Sequence, residues 1–192
     1  HYGRASPEQK KEVAEKWRHH LRSQYEDRLI YWQLRHFSKQ HAVHHAHEDS
    51  SGESRVLSII IDSMDKCKGA WPQYNFRENK DFDKLRRPRL VITCVICHGY
   101  FTDFYIAEDE DMFHGASTFC EILTRTLARV ERMCLDKDMK MPEHLVVQYD
   151  NTTAQAKNKE TCKFLAALVR KYCFRTTTLN FLRVGHTHED VD

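Results

Sequence analysis

The sequence predicts an α/β domain built on a mixed sheet, with its elements in the order βββαβαβ, flanking helices and a helical extension at the N-terminus. Short apolar runs rich in β-branched residues have strand character, and longer segments repeat apolar residues at the 3.6-residue period of a helix. Strands joined through a helix run parallel by right-handed crossovers. The later strands should therefore add in parallel to an antiparallel meander of the first three.

The N-terminal residues 6–37 are predicted to form one long amphipathic helix or two, beginning at Ser6, Pro7 and Glu8. Apolar residues recur at helical steps, at Val13, Trp17, Leu21, Tyr25, Leu29 and Trp32. We interpret this stripe as a packing face against the main domain in preference to a cofactor site. The Lys and Arg residues of the segment are interpreted as a solvated face in preference to a nucleic-acid footprint.

A histidine-rich stretch follows and divides the chain. It contains residues of the kinds that bind metals in proteins: His41, His44, His45, His47, Glu48 and Asp49. A zinc site is one interpretation, because His41 and His45 would share a helix face. The Ser and Gly residues that follow favour a mobile linker whose histidines bind metal adventitiously. We therefore expect a helical extension over residues 1–40, a linker over 41–54 and a main domain over 55–192.

The main domain begins with three predicted strands. RVLSIIID has apolar residues at both odd and even positions, and therefore on both faces, which is typical of a central strand covered on two sides. RLVITCVICHGY and FTDFYIAED follow around a tight turn at His98, Gly99 and Tyr100. Together they predict the antiparallel meander.

The second half of the main domain alternates helices with strands. STFCEILTRTLARVERMC is predicted to be a helix whose apolar face holds Phe119, Ile122, Leu123, Leu127, Val130, Met133 and Cys134. HLVVQYD is predicted to be a strand, ETCKFLAALVRKY a helix and TTTLNFLRVG the last strand.

Composition excludes several classes of protein. The chain has 30 Lys and Arg against 28 Asp and Glu, and a net charge this small does not by itself indicate a polyanionic partner. No apolar run reaches the ~18 to 20 residues of a membrane span, and no signal segment opens the chain. Seven cysteines, an odd number mostly within apolar runs, indicate buried thiols in a reducing compartment. A soluble intracellular protein is expected.

One cysteine motif requires a separate interpretation, because CVICH at residues 94–98 has the spacing of c-type haem attachment. The run lies in a predicted strand, where residues three apart point to opposite faces. Cys94 and Cys97 are therefore not expected to share a haem or a zinc ion.

Acidic residues end two of the predicted strands. Asp62 closes the first strand and Asp150 the fourth, each at the first polar break after an apolar run. If these strands are parallel neighbours, both carboxylates lie in the crevice at the strands' carboxyl ends, where active sites of open sheets gather. The tail GHTHEDVD follows the fifth strand at the same end and supplies a third carboxylate. Such oxygen ligands suit two Mg²⁺ or Mn²⁺ ions ~3.5 to 4 Å apart that clamp a phosphodiester.

These motifs resemble a known family. The order βββαβαβ with acids at these places resembles the ribonuclease H-like fold of DDE transposases and integrases. DSMDKCK at residues 62–68, DNTTAQAKN at 150–158 and GHTHEDVD at 185–192 resemble a transposon-derived domain of unknown function whose members carry D-x-M-D, D-N-x5-K-N and G-H-[TS]-x4-D. The resemblance runs from about Tyr25 to the end of the chain.

The resemblance implies a set of site residues. It marks Asp62, Asp150 and Asp192 as the catalytic and metal-binding acids. Supporting positions around them are Asp65, Asn151, Lys157, Asn158, His186 and Glu189. The family domain continues into a helix beyond the position of Asp192, so the chain is expected to be truncated there.

The three acids of the tail are expected to differ in role. Thr187 and Asp190 fit a capping box, so a helix should begin here and Asp190 should be structural. Glu189 lies in the first turn, where the helix dipole favours a negative charge. Asp192 lies ~200° around the helix from Asp190, free to face the crevice.

A long insert separates the first two strands, where ribonuclease H folds usually have a tight turn. Between residues 63 and 89 the insert contains eight Lys and Arg residues and four acids. They are interleaved with Trp71, Tyr74, Phe76 and Phe82. The insert is interpreted either as a substrate arm or as a long loop folded over the sheet edge. As an arm it would bind nucleic acid through Lys66, Lys68, Trp71, Arg86, Arg87 and Arg89.

Three functions remain open at this point. The first is a transposase-like nuclease or strand-transferase that acts on DNA with two Mg²⁺ or Mn²⁺ ions. The second is a domesticated descendant that binds nucleic acid or protein without cutting. The third is a ribonuclease H-like nuclease on RNA or hybrid duplex. Three intact acids favour an enzyme, because neighbouring buried carboxylates are costly without a cation. DNA or RNA partners, no membrane, a homo-oligomer and a nuclear location are expected.

Overall fold

The computed structural model describes residues 6–42, 55–64, 88–108, 115–149, 157–171 and 173–181. Within these residues the helices are α1 (Pro7–Gln40), α2 (Ala116–Leu135) and α3 (Lys159–Arg170). The strands are β1 (Val56–Ser63), β2 (Leu90–Cys97), β3 (Phe101–Glu108), β4 (His144–Tyr149) and β5 (Thr176–Phe181). The predicted order of elements is confirmed, and the N-terminal segment forms one helix.

The strands form one five-stranded mixed sheet in the order β3-β2-β1-β4-β5. β1 pairs antiparallel with β2, and β2 pairs antiparallel with β3, which confirms the meander. β4 pairs parallel with both β1 and β5, as the helical crossovers predict. β1 therefore lies in the centre of the sheet, between β2 and β4.

The two faces of the sheet differ. Leu57, Ile59 and Ile61 define the α2 face, where they are fully buried in a core with Phe119 and Leu123 of α2. Ser58, Ile60 and Asp62 define the other face, here called the α1 face, because alternate residues of a strand point to opposite sides. Burial of all five residues from Leu57 to Ile61 confirms that β1 is covered on two sides.

The apolar face of α2 also follows the prediction. Its buried side chains include Phe119, Ile122, Leu123, Leu127, Val130 and Cys134. Met133 packs against this core while half-buried. The helical period in the sequence therefore identified the side of α2 that faces the sheet.

The two cysteines of the CVICH motif point to opposite faces. Cys97 is buried on the α2 face opposite Ile59, whereas Cys94 lies half-buried on the α1 face opposite Asp62. This confirms that they do not form one ligand pair. β2 as a whole alternates buried and half-buried residues, so it is less enclosed than its apolar sequence predicted. Six cysteines lie among the described residues and all are free thiols.

The start of α1 follows the predicted capping signal. The Ser6 side chain accepts a hydrogen bond from the Gln9 amide at 3.2 Å, and the Gln9 side chain accepts one from the Ser6 amide at 3.0 Å. With Pro7 as the first helical residue, these bonds satisfy amides that a helix start leaves free.

The last turns of α1 are tied to the sheet by buried hydrogen bonds. The Ser38 hydroxyl donates to the His98 carbonyl oxygen at 2.8 Å and accepts from the Ser58 amide at 3.0 Å. His98 Nδ1 lies 3.1 Å from the Ser58 carbonyl oxygen, which can only accept, so Nδ1 carries the proton. Nε2 then accepts from the Tyr31 hydroxyl at 3.2 Å. This network fixes which side of α1 faces the sheet.

The predicted packing of the aromatic stripe of α1 is wrong. Trp17 and Tyr25 are each 58% exposed, and Val13, Leu21, Leu29 and Trp32 are exposed as well. The buried residues of α1 are Tyr31 and Ser38. The sheet presents His98 and Ser58 at this place, and these polar groups need hydrogen-bond partners when buried. Tyr31 and Ser38 supply these partners, so they face the sheet in place of the stripe.

The end of α1 lies beside the β2–β3 turn. His41 follows the helix, and Ala42 is fully buried. The remaining linker residues, including His44, His45 and His47, lie outside the described residues. Within the described part of the chain, no helix combines the length and apolar character that a membrane span requires.

Candidate functional site

The predicted acid of the first strand occupies a sheltered place in the sheet. Asp62 is the penultimate residue of β1 and is half-buried on the α1 face. Its carboxylate oxygen Oδ1 accepts a hydrogen bond from the Ser63 amide at 2.8 Å. Asp62 pairs with Cys94 of β2, and the residue before it pairs with the last residue of β4.

The parallel pairing of β1 and β4 brings their carboxyl ends to the same edge of the sheet. Ile61, directly before Asp62, pairs with Tyr149, the last residue of β4. This pairing confirms that β1 and β4 are parallel neighbours, as the prediction of the site required. Asp150 follows Tyr149 in the sequence and lies outside the described residues, so the meeting of the two carboxylates remains a prediction.

A cysteine thiol lies beside Asp62 on the neighbouring strand. Cys94 pairs with Asp62 across β1 and β2. Burial raises the pKa of the Cys94 thiol, and the negative charge of Asp62 raises it further. Without a bound metal the thiol therefore stays protonated at neutral pH. The oxygen ligands of Asp62 fit a hard cation such as Mg²⁺ or Mn²⁺.

Gln148 is a site residue that the sequence analysis missed. It pairs with Ile60, which places it on the α1 face, and it is only 3% exposed. Its amide nitrogen Nε2 is buried without a hydrogen-bond partner among the residues that the structure describes. Such a donor costs about 1 to 3 kcal/mol. The sequence does contain one signal for it. In HLVVQYD, Gln148 lies two positions before Asp150, the spacing of residues that share one face of a strand.

Two predicted supporting residues have local structural roles. The Asn158 side chain caps α3 by accepting a hydrogen bond from the Thr161 amide at 2.9 Å. The Lys157 ammonium lies 5.7 Å from the centre of the Phe181 ring, a cation–π contact. Phe181 pairs with Tyr149, so Lys157 contacts the residue that ends β5 at the Asp62 edge of the sheet.

The other predicted site residues are mostly outside the described part of the chain. These are Asp65, Asp150, Asn151, His186, Glu189, Asp192, Lys66, Lys68, Trp71, Arg86 and Arg87. Arg89 is described, and it is exposed directly before β2. Among the described residues, no group of three or more His, Cys, Asp or Glu side chains is placed to hold a metal ion.

Comparison with known protein families gives a match over the second half of the chain. The family model for DUF7869, a domain of unknown function, matches residues 80–192, more than half of the chain. No curated protein and no solved structure matches the chain. The matched part includes strands β2 to β5, helices α2 and α3, and the predicted acids Asp150 and Asp192.

Proposed function

We propose that this chain, which belongs to the DUF7869 family, is a transposase- or integrase-like nuclease or strand-transferase that acts on DNA phosphodiesters. The observation that carries the proposal is the position of Asp62 on the central strand, beside the parallel strand that ends immediately before Asp150. Crevices at the carboxyl ends of parallel strands are where such sheets place their active sites. A nuclear location would follow from a DNA substrate.

The fold supports the ribonuclease H-like assignment that we propose. An antiparallel meander of three strands continues into two parallel strands, with Asp62 at the end of the first. The resemblance of the sequence motifs rests on DSMDKCK, DNTTAQAKN and GHTHEDVD. It places the second and third acids at Asp150 and Asp192.

The chain's own residues would divide the work at the site. Asp62, Asp150 and Asp192 would hold two Mg²⁺ or Mn²⁺ ions, which when bound activate the attacking water or hydroxyl and stabilise the leaving oxygen. Gln148 would use its free amide donor to orient a carboxylate oxygen of this set. The predicted arm with Arg86, Arg87 and Arg89 would neutralise phosphates of the substrate.

A cleavage assay with three labelled substrates tests the proposal. DNA, RNA–DNA hybrid and RNA duplexes are incubated with the protein and Mg²⁺ or Mn²⁺. We expect cleavage of DNA and none when the cation is chelated. Cleavage of hybrid or RNA alone would assign the chain to the ribonuclease alternative. Binding of DNA without cleavage would assign it to the non-catalytic alternative.

Replacement of Gln148 by methionine is expected to separate stability from metal binding. Without metal the variant should be as stable as the parent, or up to about 1 kcal/mol more stable, because the unsatisfied donor is removed. Mn²⁺ should raise the melting temperature of the parent by mass action, and this shift should shrink in the variant. Differential scanning calorimetry with and without Mn²⁺ measures both effects.

Val146 provides the matched control for this experiment, because it is buried on the same strand and face as Gln148. Val146→Ala should lower stability by about 1 to 3 kcal/mol through a cavity while leaving the Mn²⁺ shift intact. If Gln148→Met behaves like Val146→Ala, with lost stability and an unchanged Mn²⁺ shift, Gln148 only fills the core.

A further inference from the structure

Helix α1 carries a row of basic and aromatic residues at steps of seven. The row consists of Lys11, Arg18, Tyr25, Trp32 and Lys39. All five residues are exposed, Tyr25 at 58% and Trp32 at 38%. Seven residues make almost two full turns of a helix, so each member lies only ~20° around the axis from the one before it. The row therefore occupies one side of α1.

This side of α1 points away from the sheet. The side that faces the sheet is given by Tyr31 and Ser38, which form hydrogen bonds with His98 and Ser58. At ~100° per residue, Tyr31 and Ser38 lie roughly 120° and 140° around the helix from Tyr25. Contact of α1 with the sheet therefore leaves the row open to a partner.

The charges of α1 are segregated around its axis. Within ~60° of Tyr25, at ~100° per residue, the helix has six basic residues and no acid. The basic residues are Lys10, Lys11, Arg18, Arg22, Arg28 and Lys39. The acids of the helix lie ~80° or more from Tyr25, and they are Glu8, Glu12, Glu15, Glu26 and Asp27. The side that carries the row is therefore positively charged, although the whole chain has a net charge of only +2.

Part of this positive charge is not neutralised within the described part of the chain. Lys11, Arg18 and Lys39 form no ion pair with another residue that the structure describes. Arg22 pairs with Glu26 at 3.1 Å, but both side chains are more than half exposed, and ion pairs of this kind are weak. Exposed and unneutralised Lys and Arg side chains favour a polyanion, because counterions are released when they neutralise its phosphates.

The aromatic members of the row indicate which polyanion fits. The rings of Tyr25 and Trp32 lie 6.3 Å apart in an edge-to-face contact and remain partly exposed. Bases without a pairing partner stack on such rings while neighbouring Lys and Arg side chains contact the phosphates. In a duplex the bases are paired and stacked on one another, so their faces become available to a protein only at the cost of unstacking.

An anionic membrane fits this side of the helix less well. A helix that lies in a membrane surface separates an apolar face from a charged one. Here Arg18 lies between Leu21 and Leu29 around the helix, ~60° from the first and ~20° from the second. Burial of both leucines in lipid would bury the Arg18 guanidinium with them, and an unpaired buried charge is costly.

We propose that the row binds a strand of DNA whose bases are unpaired. Phosphates of the strand contact Lys11 and Arg18, and bases stack on Tyr25 and Trp32. The distance along the helix from Lys11 to Trp32 is ~32 Å at 1.5 Å per residue, which is long enough for several nucleotides. Phosphates and the flat faces of bases are common to all sequences, so we expect little sequence preference. The choice of DNA rests on the proposed function, whereas the binding itself requires no cation.

Fluorescence anisotropy of labelled oligothymidylate, measured in EDTA over a series of salt concentrations, tests the charged part of the row. We expect the parent to bind and its affinity to fall as salt rises. Arg18→Gln should weaken binding and lower the slope of log affinity against log salt by ~0.7, because one phosphate contact is lost. Lys16→Gln is the matched control, since Lys16 pairs with Glu12 at 2.6 Å and lies ~180° around the helix from Tyr25. It should bind as the parent does.

The same measurement tests the aromatic part of the row. Tyr25→Ala should weaken binding by about 5- to 150-fold, the range for loss of one stacked base, while the salt dependence stays parental. Phe37→Ala is the matched control, because Phe37 is 47% exposed and lies ~120° around the helix from Tyr25. It should keep the parental affinity.

Four results would overturn the proposal. Oligothymidylate that stays unbound at low salt removes the partner, and parental binding by both Arg18→Gln and Tyr25→Ala places the site elsewhere. Tighter binding of a DNA duplex or of oligouridylate contradicts the assignment to unpaired DNA. Retention on phosphatidylserine vesicles without binding of oligothymidylate assigns the row to a membrane surface.

Binding in EDTA is independent of the proposed metal site. Lost binding in Arg18→Gln with cleavage intact therefore supports the row alone, and lost cleavage in Asp62→Asn with binding intact concerns the metal site alone. Circular dichroism of each variant checks that α1 remains helical, so that lost binding is not mistaken for a lost helix.

Discussion

Replacement of Asp62 by asparagine is expected to abolish metal-dependent DNA cleavage. Asparagine keeps the shape of the side chain but removes the negative charge that would hold the cation. Several kcal/mol of transition-state stabilisation by a metal ion correspond to a ~10³-fold lower rate at 1.36 kcal/mol per tenfold. The measurement is the initial rate of cleavage of labelled DNA at saturating Mg²⁺.

Asp103 provides a matched control on another strand. It lies on β3 opposite Val95, two strands from β1 and on the α2 face of the sheet, where it forms an ion pair with Arg129 of α2. Asp103→Asn should therefore cleave at the parental rate while losing no more than about 1 kcal/mol of stability, because the ion pair is partly exposed. Full activity of Asp62→Asn would remove Asp62 from the catalytic set and with it the basis of the proposed function.

The sheet could be predicted from the sequence because each strand has a local signal. Burial on two sides makes β1 apolar at nearly every position, and the turn at Gly99 separates β2 from β3. The parallel addition of β4 and β5 follows from the helices that precede them. These constraints act along short stretches of chain, so a single sequence is enough to apply them.

The orientation of α1 could not be predicted in the same way. Its apolar stripe, which includes Trp17 and Leu21, is exposed, whereas Tyr31 and Ser38 are the residues that pack on the sheet. That choice depends on His98 and Ser58, which are distant in the sequence and become neighbours only in the folded sheet. Apolar periodicity reports where a helix can bury surface and does not say which partner buries it.

Only part of the candidate site could be predicted, again because some of its contacts form only in the folded sheet. Asp62 could be found because it breaks an apolar run, and its position beside β4 follows from the strand order. Gln148 was missed, because its significance lies in an amide that packing leaves without a partner among the described residues. A polar residue within a strand gives no such information until the surrounding side chains are placed.

Replacement of Gly99 by alanine is expected to lower the free energy of unfolding by about 2 to 6 kcal/mol. Gly99 has φ +86°, a left-handed conformation that costs other residues about 1 to 3 kcal/mol. A Cβ here would lie 2.5 Å from the Ala42 Cβ and 2.9 Å from the Lys39 Cα. Overpacking of this kind adds about 1 to 3 kcal/mol. Lys39 lies in the last turn of α1 and Ala42 follows its C-cap, so the packing of this end of α1 on the sheet should be lost first.

Gly115→Ala separates this effect from the general cost of replacing a glycine. Gly115 precedes α2 as its N-cap, has extended backbone and has open space around an added Cβ. It should lose no more than about 1 kcal/mol, through a poorer cap. Urea unfolding compares the two variants, and hydrogen exchange shows whether the amides of the last turns of α1 lose protection before those of β1. Equal losses in both variants, with α1 still protected, would mean that the close approach of α1 to the β2–β3 turn does not contribute to the stability of the fold.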